Sequence, residues 1–90
     1  MSASNSAKLE ALLFYYGEPI LIERAAKLLG VAESECKELA RELGEALKND
    51  PNRGLTLIVN GDEIQLVTKP EVQEIGKKII TEEFREELSP

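Results

Sequence analysis

An α+β fold is expected from three observations. Three segments with apolar residues at helical spacing precede residue 50, two short β-branched runs are joined through Asn60-Gly61, and a proline-led helical segment closes the chain. Helix, short strand, helix, tight turn, helix, hairpin, helix is the order of a winged helix-turn-helix, with a three-helix core, a two-stranded wing and a C-terminal helix. A chain of 90 residues holds one such domain and one modest core, which excludes a two-lobed active-site cleft.

Residues 1–6 read as a disordered start, with Asn5 or Ser6 available to cap the first helix. That helix covers about Ala7 to Tyr16: Leu9, Leu12, Leu13 and Tyr16 share a face, and Gly17 ends it before Glu18-Pro19. Ile20 to Ile22 is a short extended piece. Ala25, Ala26, Leu28 and Leu29 mark a second helix that stops at Gly30. The third helix spans about Glu33 to Lys48 on the stripe Cys36, Leu39, Ala40, Leu43 and Leu47, with Gly44 costing roughly 1 kcal/mol against alanine.

Leu55 to Val59 and Ile64 to Thr68 form the hairpin. A two-residue Asn60-Gly61 turn sets Leu57 opposite Ile64 and Leu55 opposite Leu66; sliding the pairing by two keeps the same apolar face, so the register stays open. Thr68-Lys69-Pro70-Glu71 reads as a capping box at the start of the last helix, whose buried stripe is Val72, Ile75, Ile79 and Ile80, with Phe84 and Leu88 continuing it. The domain is therefore placed at residues 7–80. Residues 81–90 are assigned to an acidic linker or to the start of a missing second winged-helix domain.

Composition narrows the function classes. Seventeen acidic against 11 basic residues give a formal charge of -6, a mean field that repels phosphate backbones and anionic lipid. No histidine is present, which removes the commonest general base and transition-metal ligand. A single cysteine cannot close an intrachain disulfide, and no charged-then-apolar leader or membrane-length run is seen, which fits a reducing cytoplasm.

Several strings together resemble one family. Leu9-Glu10-Ala11-Leu12-Leu13-Phe14, Gly17-Glu18-Pro19 and Ala26-Lys27-Leu28-Leu29-Gly30-Val31 are similar to the opening of the segregation-and-condensation protein B (ScpB) family. Arg53-Gly54-Leu55, Gly61 and Gln65-Leu66-Val67-Thr68-Lys69-Pro70-Glu71 resemble its wing and the entry to its last helix. The match runs in order over roughly residues 9–80, and Leu88-Ser89-Pro90 resembles the start of the second winged-helix domain that the family carries. Two departures concern caps: Leu21 and Ala32 stand where serine or threonine is common. A third is Ile64, where an aromatic is common.

The resemblance implies a homodimeric, non-enzymatic subunit that binds the kleisin ScpA and through it the SMC ATPase, in chromosome condensation and segregation during cell division. It implies a place in the cytoplasm at the nucleoid, with no cofactor. The alternative is a winged-helix DNA-binding regulator. Against it, Glu33, Glu35, Glu38, Glu42 and Glu45 outnumber Lys37, Arg41 and Lys48 on the third helix, whereas phosphate binding needs clustered cations. Arg53, Lys69, Lys77 and Lys78 are scattered, so a solvated surface is expected and no nucleic-acid site is assigned.

Catalytic and metal residues are likewise not assigned. Glu82-Glu83 and Glu86-Glu87 lie in a polar tail without convergent partners, Asn60-Gly61-Asp62 is too short for a calcium loop, and Cys36 belongs to an apolar stripe. The informative element is the first helix. Behind its core-facing leucines, Ala7, Ala11, Phe14 and Tyr15 form a second apolar face, and one thin layer cannot easily bury both. These four residues are the candidate dimer interface. The competing reading packs Phe14 and Tyr15 under the wing or the last helix.

Overall fold

Among the described residues four helices and a small antiparallel sheet succeed one another in the expected order. The computed structural model describes the backbone of residues 3–88 and the side chains of residues 3–81. The elements are α1 (Asn5–Tyr16), β1 (Ile20–Leu21), α2 (Ile22–Leu29), α3 (Glu33–Asn49), β2 (Leu55–Asn60), β3 (Glu63–Thr68), a 3-10 turn (Pro70–Val72) and α4 (Gln73–Leu88).

Each helix end has a local cause. Ser4 caps α1 by accepting a hydrogen bond from the Ala7 amide at 3.1 Å, so the helix starts earlier than an Asn5 or Ser6 cap would place it, and Asn5 and Ser6 are helical. Gly17 and Gly30 end α1 and α2 at positive φ (70° and 74°), a conformation that glycine reaches without a Cβ clash. Leu21 and Ala32 stand at the caps of α2 and α3 and supply no side-chain acceptor. Ala32→Ser is therefore expected to stabilise the domain by roughly 0.5–2 kcal/mol, read as a raised urea midpoint; a lowered midpoint would contradict the cap assignment.

The core forms where three helices meet one face of the sheet. Leu9 and Leu13 of α1, Ala25 and Ala26 of α2, and Cys36, Ala40, Leu43 and Leu47 of α3 are buried against Ile20 and Ile64. Ile64, one of the departures from the family pattern, is the centre of this arrangement: it pairs with Ile20 on one side and Val59 on the other. No aromatic side chain is buried among the described residues.

The sheet order is β1-β3-β2, all antiparallel. The wing register is the one displaced by two: Leu57 pairs with Leu66, Leu55 with Thr68 and Asn60 with Glu63. The turn residues are thus Gly61 and Asp62 rather than Asn60 and Gly61. Of this pair Gly61 has positive φ (63°), as the first central position of a type II′ turn requires. The displacement by two preserves the side-chain faces, which is why the apolar face is legible in the sequence and the pairing is not.

Past the wing the structure departs further from expectation. Thr68 is still paired in the ladder, so Lys69 takes the cap position of the 3-10 turn and no capping box forms. Lys69 is buried: its amide donates to Gly54 O and its Nζ donates to the Asp50 carbonyl at 2.8 Å, at the C-terminal end of α3. A cation there meets the negative end of the helix dipole. The residue expected on the solvated surface is an internal clamp between α3 and the wing.

The stripe of α4 is not buried. Val72 is half-buried, but Ile75, Ile79 and Ile80 are 60%, 51% and 57% exposed, and among the described residues α4 packs mainly on the turn that leads into it. The helix continues without a break across the boundary placed at residue 80. A compact domain of 90 residues has a radius of gyration of about 12 Å; the observed 15.9 Å and the 55 Å long axis fit a helix standing away from the body. The Phe84 and Leu88 side chains, expected to extend the stripe, lie outside the described residues, as do residues 89–90.

Candidate functional site: an apolar groove along the first helix

The second face of α1 is open. Burying Leu9 and Leu13 on the core side rotates Ala7, Ala11, Phe14 and Tyr15 to the opposite side, where all four are exposed, Phe14 at 69% and Tyr15 at 86%. The structure thus brings together the four residues singled out from the sequence. Among the described residues neither the wing nor α4 covers the two rings. They touch each other edge to face, with centroids 6.1 Å apart.

Two residues beyond the helix complete the site. Leu55 of β2 and Leu66 of β3 rise beside Ala7 and Ala11, and together with the two aromatics they bound a groove of about 370 Å³. The small side chains of Ala7 and Ala11 leave room within it. Helical spacing reveals the α1 wall, but the sheet wall requires knowing how the wing docks.

Glu10 stands at the rim and is tied by Arg53, whose Nη2 donates to Glu10 Oε2 at 2.6 Å. The pair is partly exposed and contributes at most about 1 kcal/mol to stability. Its local effect is to neutralise the carboxylate that lines the groove and to hold the loop before β2 against α1. Among the described residues the groove therefore offers apolar and aromatic surface with its lining charge compensated, suited to a helix or apolar peptide of a partner.

A second cleft lies between α3 and the wing, about 340 Å³, with Lys37 and Arg41 beside Val59 and Asp62. In a DNA-binding winged helix this is where the recognition helix and wing would meet the duplex. Here Arg41 is committed to Glu38 through bonds of 2.6 and 3.2 Å, and its guanidinium holds that carboxyl below the usual range. No salt-sensitive duplex binding is expected at micromolar protein in a mobility-shift assay. Binding at moderate salt, lost steeply as salt rises, would overturn this.

Nothing else among the described residues gathers chemistry. Cys36 is fully buried, and burial, then the nearby Glu33 charge, pushes its thiol pKa up, the opposite of an activated nucleophile. Histidine, cysteine, aspartate and glutamate do not cluster as a metal site among the described residues, and no described helix is long and apolar enough to cross a membrane.

Comparison with known proteins gives these surfaces a context. The family model for segregation and condensation complex subunit ScpB matches residues 7–90. Segregation and condensation protein B of Lactobacillus johnsonii is 38% identical over 88 residues, and that of Streptococcus pneumoniae 34% identical over 87. These alignments take in 97% and 96% of this chain but 45% and 46% of the relatives, so the chain spans about half the length of the curated relatives it matches. A solved structure described as a dimer of the ScpB N-terminal domain complexed with ScpA peptide superposes with a TM-score of 0.73 at 34% identity, covering 81% of this chain and 84% of that one.

Proposed function

Because the chain belongs to the family of segregation and condensation complex subunit ScpB, we propose that it is a non-enzymatic subunit that pairs with a second copy of itself and binds the kleisin ScpA. Through ScpA it joins the SMC ATPase that condenses and partitions the chromosome. Its place is the cytoplasm, at the nucleoid, and it catalyses nothing itself.

The observation that carries this reading is the exposed groove on α1. An apolar and aromatic surface on so small a domain is costly in solubility unless a partner covers it. A solved relative of the same fold is a dimer with ScpA peptide, so a second copy and a kleisin segment are the natural occupants of such surfaces. Ala7, Ala11, Phe14 and Tyr15 are the residues we assign to self-association.

Calorimetric titration of the chain with the middle segment of ScpA tests the kleisin arm. Saturable binding is expected, with the chain remaining paired in the complex. Absence of saturable binding would overturn the assignment.

A further inference from the structure

Among the apolar surfaces left uncovered in the described residues are the groove along α1 and the stripe on α4. Resting on the reading that the chain pairs through α1, we propose that each groove is filled by α4 of the other copy, so that the dimer forms by reciprocal exchange of this helix.

The stripe has the form of a docking helix. Ile75 and Ile79 lie one turn apart with Ile80 beside them, and Gly76 sits next to these side chains on the helix surface. A Cβ at Gly76 would meet nothing within 4 Å in its own chain, so the bare backbone is free for close approach of a second surface. The groove is complementary in chemistry, lined by alanine, leucine and aromatic side chains.

Energetics point the same way. A helix of 16 residues held chiefly at its first turn is marginal in water, and three β-branched isoleucines and a glycine weaken it further. Tertiary burial of the stripe supplies what propensity does not. A two-fold arrangement uses each surface twice. The relative that superposes over 81% of this chain is described as a dimer of the N-terminal domain, which favours a second copy, not a further domain, as the occupant.

The test mixes two variants that each add one cysteine, Ala11→Cys and Ile79→Cys, one carrying a mass tag, and treats them with a short bismaleimide. Cys36 is buried and does not compete. A covalent heterodimer is expected from the mixture, and only faint homodimers from either variant alone. Ile79→Glu is expected to weaken self-association at least about 30-fold with helical signal retained. Strong homodimers of Ala11→Cys alone mean that α1 meets α1, which overturns the exchange and leaves the dimer standing. Dimers by mass that give no cross-link in the mixture also overturn the exchange, whereas wild type that is monomeric by mass overturns the pairing on which it rests.

Discussion

Leu13→Ala is expected to remove about 2–5 kcal/mol of folding stability, the largest loss anticipated for a single substitution in this domain. Leu13 is 2% exposed and sits on α1 where that helix meets α2 and α3. Truncation forfeits the transfer energy of the deleted atoms and leaves a cavity whose walls, three helices and a sheet, collapse only in part. A domain of this size has about 5–15 kcal/mol in total, so the variant stands near the threshold of unfolding. Urea denaturation monitored by circular dichroism reads the effect, and an unchanged midpoint would show that Leu13 is not core.

Phe14→Glu, one residue further along the same helix, is expected to leave folding intact and abolish pairing. The ring is mostly exposed and makes no core contact, so replacing it costs the isolated domain within about 0.5 kcal/mol. At the interface a carboxylate replaces apolar burial, and two-fold symmetry introduces it on both copies at once. The expected species is a folded monomer, seen as half the wild-type mass with unchanged helical signal. If Phe14→Glu unfolds the chain while Leu13→Ala does not, the two faces of α1 are misassigned.

The contrast between these neighbours shows what the sequence conveys. Both faces of α1 are legible because its apolar residues recur at helical spacing around nearly the whole cylinder, and a thin domain buries only one side. Gly17 and Gly30 mark helix ends through a conformation that few other residues adopt, and the absence of side-chain caps at Leu21 and Ala32 is a matter of residue type alone. The groove's second wall, Leu55 and Leu66, is not legible, since sequence does not say which part of a wing lies beside which helix.

The register stays open in the sequence, and the placing of Lys69 and of the α4 stripe differs from expectation, because each depends on the fold. A period of two is unchanged by a displacement of two, so only the φ of Gly61 and the pairing with β1 select the register. Lys69 sits beside a proline with no local partner; its acceptor, the Asp50 carbonyl, is 19 residues away and reached only through the fold. The stripe on α4 has the spacing of a buried face, and spacing reports that a surface will be covered without reporting by what. In this chain the described residues of that stripe, Ile75, Ile79 and Ile80, stay exposed.

Self-association is tested most directly by the mass of the wild-type chain in light scattering across a concentration series. A value approaching twice 10.0 kDa as concentration rises is expected, returning to 10.0 kDa on dilution or in Phe14→Glu. A constant 10.0 kDa at every concentration would contradict it.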